Sequence, residues 1–329
     1  MSRQHAKTIG VRGKQYAVTG SVKLGGKTFL ILDRPLSRRR TKYCVFDHRA
    51  GPRGELRAMH VVPRNDAGYQ YAHVVRRLTD GNINLPSLVE YHAHGEDIYL
   101  ILTWMYGVSL AEFLRHASGK QRLWPSAVEA FKLFRGLAHG LRQLHHKKNF
   151  VHGDVCPDNL VLCRAPNRLV LIDFGAAWRV EQTRARVEGD GIQRFYASPE
   201  QLQQKPFVDF RSDQFSASLV LYQMLTGELP YGGLGGKAGL DEHHAASLAE
   251  SWIPPSQKSG DRDRLPRWLW SSIDRVAKRG LALDPARRYQ NAKEWLREID
   301  SIHLEMLAAG RSASRLGELL DWKGWLPWK

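Results

Sequence analysis

Apolar positions along the chain fall into two textures. From Phe29 to about Val62 they come in short runs: Phe29-Leu30-Ile31-Leu32, Tyr43-Cys44-Val45-Phe46 and Ala58-Met59-His60-Val61-Val62. Asp33-Arg34-Pro35 and Ala50-Gly51-Pro52 separate them, so the runs read as strands. A helix is predicted over 69–79. Two more strands follow at Leu88–Tyr91 and Ile98–Leu102, joined by the turn His94-Gly95-Glu96-Asp97. After Gly107 the spacing becomes helical. Ser126-Ala127-Val128-Glu129 is a capping box. Val128, Phe131, Phe134, Leu137, Leu141 and Leu144 then recur at steps of three and four, which places them on one helix face. Further helices are predicted over 212–226, 266–280 and 290–308. The Gly-rich stretch 232–239 and the Pro/Ser-rich stretch 253–260 read as exposed loops.

Five strands and a helix followed by a helical half predict an α+β fold of two lobes, with a ligand in the cleft between them. Residues 1–28 are polar, Gly-rich and free of acidic residues, and read as a flexible arm or a loosely attached edge segment.

Composition narrows the class. Of 329 residues, 43% are apolar and 25% charged, enough to bury a core and too ordered in pattern for a disordered chain. The longest apolar run, Ile98 to Val108, falls well short of the roughly 18–20 residues of a membrane span. The first twenty residues carry Arg3, Lys7, Arg12 and Lys14 with no apolar stretch after them, unlike a secretory signal. Cys44, Cys156 and Cys163 have no metal-ligand spacing and are too few for a disulfide scaffold. These features predict a cytoplasmic protein with reduced thiols.

Charge adds one more feature. Residues 1–57 carry 14 Lys or Arg against three Asp or Glu, so most of the net +16 lies at the N-terminal end. Such a block can attract phosphate or an acidic partner, or can be a solvated face with no dedicated ligand. A weak, nonspecific polyanion contact is the most that is expected of it.

The candidate chemistry begins at His152-Gly153-Asp154-Val155-Cys156-Pro157-Asp158-Asn159. Asp173-Phe174-Gly175 follows the apolar run Leu169–Ile172. Tyr196-Ala197-Ser198-Pro199-Glu200 and Asp209-Phe210-Arg211-Ser212-Asp213 come later. In order and spacing, these segments resemble the protein kinase family over about residues 29–303, and more narrowly the bacterial serine/threonine kinases. They match the catalytic loop H-R-D-x-x-x-x-N, the metal-binding D-F-G and the A-P-E of that family.

The resemblance implies a small five-stranded N-lobe at about 29–102, a hinge at 103–107 and a larger helical C-lobe at 108–303. A basic extension at 1–28 would precede it and a Trp-rich tail at 304–329 would follow. It also implies ATP and Mg²⁺ or Mn²⁺. Asp173 and Asn159 would hold the metal, since Mg²⁺ takes few protein oxygens beside those of phosphate. Asp154 would orient the attacking hydroxyl and accept its proton. Leu102 would guard the nucleotide pocket, with the backbone of Thr103 and Met105 meeting adenine. Asp213 would hold the catalytic loop, and Glu200 would pair with Arg288.

Several positions depart from the pattern. Where the phosphate loop normally reads G-x-G-x-x-G, this chain has Leu36-Ser37-Arg38-Arg39-Arg40-Thr41-Lys42 and none of the three glycines. Arg38, Arg39 and Arg40 could supply side-chain donors to phosphate in place of backbone amides. They could equally cover an empty cleft. His60 stands where the family has its strand lysine, and the helix after it offers no acidic residue before Asp80. Lys42 falls where the with-no-lysine kinases carry a displaced lysine, and is either that group or an ordinary surface lysine. Cys156 and Gln193 replace the Lys and Thr near the transferred phosphoryl. Gly153 replaces the Arg that holds an activation-loop phosphate, and Thr183 is the only Ser or Thr between Gly175 and Ser198.

Two readings therefore stand. One is an ATP-dependent serine/threonine protein kinase of low rate. The other is a pseudokinase scaffold that binds nucleotide weakly or not at all and recruits a partner. A small-molecule phosphotransferase of the aminoglycoside or choline kinase type also uses H-G-D, but the D-F-G, S-P-E and Asp213 segments disfavour it. The tail carries Trp322, Trp325 and Trp328, which either bind a partner or fold back on the helical lobe.

Overall fold

A computed structural model describes residues 7–36, 41–78, 84–118, 124–164, 167–179, 193–205, 208–240, 247 and 252–312. Arg38, Arg39, Arg40, Thr183 and the three tail tryptophans lie outside the described residues.

The chain divides into two units. The first takes the described residues through Leu78 together with Pro86–Met105, and the second takes Asn84–Leu85 and the residues from Tyr106 onward. The division falls at Met105–Tyr106.

The first unit is a seven-stranded sheet with one helix. Its elements are β1 (Thr8–Val11), β2 (Lys14–Leu24), β3 (Lys27–Pro35), β4 (Lys42–Asp47), β5 (Glu55–Pro63), α1 (Asp66–Leu78), β6 (Leu88–His94) and β7 (Asp97–Thr103). The sheet order is β1-β2-β3-β4-β5-β7-β6, with every neighbouring pair antiparallel. The five expected strands are β3 to β7. Of the two readings of residues 1–28, β1 and β2 fit an edge segment and not a flexible arm, because β2 pairs with β3 along Val18–Leu24. Val18, Gly20, Val22 and Leu24 alternate with polar residues, the period of a half-buried strand. One face of the sheet gathers Leu24, Phe29, Val45, Met59 and Ile101 into a core. Residues at odd register from these, Lys42, Cys44, Ala58 and His60, belong to the opposite face.

The second unit is mostly helical. It contains β8 (Gly107–Ser109), α2 (Leu110–Ala117), α3 (Ala127–Arg142), β9 (Phe150–Val151), β10 (Leu160–Arg164), β11 (Asn167–Leu171) and β12 (Trp178–Arg179). The helices α4 (Pro199–Leu202), α5 (Phe210–Thr226), α6 (Pro255–Lys258), α7 (Arg267–Gly280) and α8 (Ala292–Ser312) complete it. The capping box at α3 is formed: Ser126 Oγ accepts from Glu129 N, and the Glu129 carboxylate accepts from Ser126 N. α5 is buried around nearly its whole circumference, so it serves as the hub of this unit. After α3 the backbone runs through a π-helical turn, Gln143–Lys148, which ends at Asn149 in a left-handed conformation.

Two expected loops are corrected. Residues 232–234 are exposed as expected, but Gly235, Gly236, Ala238 and Gly239 are buried in a 3-10 turn. A β-carbon on Gly236 would stand 1.7 Å from the Ala197 carbonyl oxygen, so only glycine permits this close backbone approach. Residues 253–260 include the short helix α6 rather than loop alone.

Candidate active site

The candidate catalytic residues of the second unit lie around the β10–β11 hairpin. Asn159 precedes β10 and Asp173 follows β11 by one residue. The Ile172 amide donates to the Asn159 carbonyl at 2.8 Å, extending the hairpin's base so that Asn159 and Asp173 leave it side by side. Asn159 Nδ2 donates to the Asp154 carbonyl at 3.0 Å and to Asp154 Oδ2 at 2.7 Å. The amide nitrogen is thereby committed to Asp154, and Oδ1 is the remaining polar atom of Asn159. Asp173 has φ +68°, a left-handed conformation that Asp tolerates better than most residues. Its Oδ1 also accepts from Gly175 N at 3.1 Å. A carboxylate and an amide oxygen on adjacent backbone segments make a hard oxygen donor set, which fits Mg²⁺.

The loop carrying Asp154 is fastened from below. Asp213 Oδ2 accepts from the His152 amide at 2.8 Å and from His145 Nε2 at 2.8 Å, and its Oδ1 accepts from the Gly153 amide at 2.9 Å. Burial pushes the Asp213 carboxyl up, but the His145 hydrogen bond and charge with the Gly153 amide outweigh it, and the net shift is downward. Burial also lowers the His152 pKa, so this ring is held neutral. Its edge packs on Phe174, with ring centroids 5.8 Å apart. Neither His145 nor Gln201, whose Nε2 donates to the Gly153 carbonyl at 3.0 Å, was singled out from sequence. The π-helical turn sets the phase in which His145 reaches Asp213.

Glu200 and Arg288 form the expected pair. Arg288 Nη1 and Nη2 donate to the two Glu200 oxygens at 2.7 and 2.9 Å, with both side chains buried. Ser212 Oγ adds a third bond to Glu200 at 2.6 Å. Burial raises the Glu200 carboxyl, yet Arg288 outweighs it and the net shift is downward.

The substituted positions are also defined. Cys156 is fully buried, and burial followed by the Asp154 charge raises its thiol pKa well above the ordinary 9.0. It is therefore an inert thiol rather than a charged group. Gln193 is exposed, and its Nε2 donates to Asp158 Oδ2 at 3.1 Å.

In the first unit, Lys42 on β4 and His60 on β5 are direct partners in the antiparallel ladder, so their side chains leave the same face. His60 Nδ1 lies 2.8 Å from the Tyr71 hydroxyl on α1. A His–Tyr hydrogen bond thus joins strand to helix where the Lys–Glu ion pair was expected to be missing. Thr103 donates its amide to the Ser87 carbonyl at 2.9 Å, so only its carbonyl could serve the expected adenine contact. The neighbouring Trp104 ring lies under the Arg34 guanidinium, 4.9 Å from its centroid. Among the described residues, no helix is long and apolar enough to cross a membrane.

Comparison with known proteins agrees with this geometry. The protein kinase domain model matches residues 69–298. The chain is similar to serine/threonine-protein kinase PknB of Mycobacterium leprae, 27% identical over 67% of this chain and 34% of the relative. It is similar to human ribosomal protein S6 kinase alpha-4, 28% identical over 74% of this chain and 32% of that protein. Serine/threonine-protein kinase C of Synechocystis is 30% identical over 49% of this chain and 30% of its own length. The chain spans about a third of the length of these curated relatives. The family match across most of the chain, together with the two units and the hairpin that joins Asn159 to Asp173, shows that the chain belongs to the protein kinase domain family.

Proposed function

We propose that this protein transfers the γ-phosphoryl group of ATP to a serine or threonine hydroxyl of a protein substrate. The observation that carries the reading is the Asp154–Asn159–Asp173 arrangement, in which Asn159 is bonded to Asp154 and adjacent to Asp173. Asn159 and Asp173 hold the divalent metal, which when bound neutralises charge on the ATP phosphates. Asp154 accepts a hydrogen bond from the substrate hydroxyl and takes its proton. The hydroxyl oxygen bonds to the γ-phosphorus as the bond to the β-bridging oxygen breaks, leaving ADP.

Lys42 supplies the cation that the family places at His60, and His60 lines the nucleotide site beside it. The basic segment Arg38-Arg39-Arg40 serves ATP phosphate, and its contact with external polyanions is weak and nonspecific. The hinge backbone at Thr103 and Met105 receives adenine. Cys156 in place of a lysine removes one positive group near the transferred phosphoryl. Loss of one such electrostatic donor costs roughly 10²–10³ in rate, so a slow kinase is expected.

The scaffold reading has its own support in Cys156 and His60, and one experiment separates the two. Thermal unfolding is followed with ATP and Mg²⁺, and transfer of labelled phosphate to a generic basic protein is measured alongside. ATP at about 100 times its Kd should add about 2.7 kcal/mol of stability. Acid-stable label on Ser or Thr, lost in Asp154→Ala, supports the kinase. No thermal shift and no label would establish the scaffold instead.

A further inference from the structure

The peptide just before Asp154 is gripped from three sides. The Gly153 amide donates to Asp213 Oδ1 at 2.9 Å, and the Gly153 carbonyl accepts from Gln201 Nε2 at 3.0 Å. Its α-carbon faces the indole of Trp178: a β-carbon there would stand 2.1 Å from Trp178 Cζ3 and 2.9 Å from the Ala176 carbonyl oxygen. Gly153 also has φ +78°, which glycine enters without steric cost. Its neighbours therefore exclude any side chain at 153.

Trp178 is buried and lies in β12, five residues after Asp173. β12 pairs with β9 so that Trp178 is opposite Val151 and Arg179 opposite Phe150. One residue of the segment after Asp173 is thus tied by backbone to the strand before His152 and by its ring to the residue before Asp154.

We infer that Trp178 is a positioning residue for phosphoryl transfer. Seated on Gly153, its indole fixes the peptide that carries Asp154 and couples it to the turn that carries Asp173, so that packing, not a phosphate group on the following segment, sets the site. This rests on the roles proposed above for Asp154 and Asp173. A buried indole supplies a large rigid contact. Displacement of a catalytic group by about 1 Å can cost roughly 10²-fold in rate, so a wedge of this size is sufficient to matter.

The test compares wild type, Trp178→Ala and Trp178→Phe by steady-state kinetics and by amide hydrogen exchange of the peptide spanning 150–156. Trp178→Ala should lower kcat by roughly 10²-fold while the KM for ATP stays within about twofold. Exchange at 150–156 should accelerate, and Trp178→Phe should restore most of both. Phosphatase treatment of the wild type should leave kcat unchanged. The inference is overturned if Trp178→Ala keeps its kcat per folded molecule, if 150–156 exchanges as in wild type, or if phosphatase treatment abolishes activity. It is also overturned if kcat falls only in proportion to lost thermal stability in both variants. Should Trp178→Ala not fold, Trp178→Phe and Trp178→Leu carry the same readouts. A wild type without transfer activity refutes the kinase reading, and the exchange measurement then decides the wedge alone.

Discussion

Lys42 and His60 face each other across the β4–β5 ladder as its terminal pair, at the start of β4. The two positions proposed above for the nucleotide cation thus neighbour each other on one sheet face, and the two roles can be separated by substitution. Lys42→Met should lower kcat by at least about 10²-fold, the scale of one lost electrostatic donor. His60→Ala should cost less than about tenfold. The reverse order, measured with saturating ATP, would transfer the role to His60.

The buried Glu200–Arg288 pair gives a stability prediction. Removing one partner leaves a charge with no counter-ion in a site closed to water. Arg288→Ala or Glu200→Ala should therefore cost about 3–5 kcal/mol in denaturant unfolding. A loss below about 1 kcal/mol would mean that the pair is solvated in solution.

Acid should destabilise the fold in two stages. His152 has a folded pKa below its ordinary 6.5, because burial disfavours the charged ring. Below pH 6.5 the unfolded chain binds this proton and the folded chain does not, so stability falls as pH drops, by up to about 1.4 kcal/mol per pH unit. Asp213 and Glu200 have folded pKa values below 3.8 and 4.5. Their contribution is complete above those ordinary values and is lost as pH falls through the folded ones. Denaturant midpoints between pH 8 and pH 3 test this, and a flat profile from pH 6.5 to 5 would contradict the His152 assignment.

Thiol chemistry offers a fourth check. Cys44, Cys156 and Cys163 are all buried, and burial raises each thiol pKa, that of Cys44 to about 11 despite the nearby Arg34 charge. A thiol-specific reagent at pH 8 should label none of the three quickly in the folded protein and all three after denaturation. Fast labelling of Cys156 in the native state would show that the catalytic loop opens.

Thr183 supplies a fifth. Residue 153 is glycine and carries no group that could hold a phosphate. Thr183→Ala should leave kcat within about twofold of wild type. A loss of tenfold or more would reveal a phosphate receiver elsewhere.

The sequence disclosed the candidate site better than its supports. Asp154, Asn159 and Asp173 were legible as candidates because the roles proposed for them need particular side chains at fixed local spacing around a turn and a hairpin. Glu200, Arg288 and Asp213 were legible through the family pattern. Tyr71 was missed because the search of α1 was for a carboxylate, whereas a histidine on the strand takes a phenol as partner. Trp178, Gln201 and His145 act on residues 25, 48 and 68 positions away, and no local pattern announces such meetings. For β2 the alternation Val18, Gly20, Val22, Leu24 was present in the sequence, but interleaved basic and glycine residues made it look like an arm. The glycines of 235–239 suggested freedom, when close approach to Ala197 and Pro199 is what they provide.

The β1–β2 hairpin changes what the N-terminal residues are for. Without it, β3 would be the margin of the sheet, a nine-residue strand with an open row of amides and carbonyls beside Phe29 and Leu30. Such a margin invites pairing with a second chain. With it, β3 is interior, and the sheet ends instead in β1, four residues long. Short margins are poor templates for a foreign strand. The basic N-terminal strands thus cover an edge as well as supply charge, and a chain shortened to begin at Lys27 should present the β3 edge for pairing.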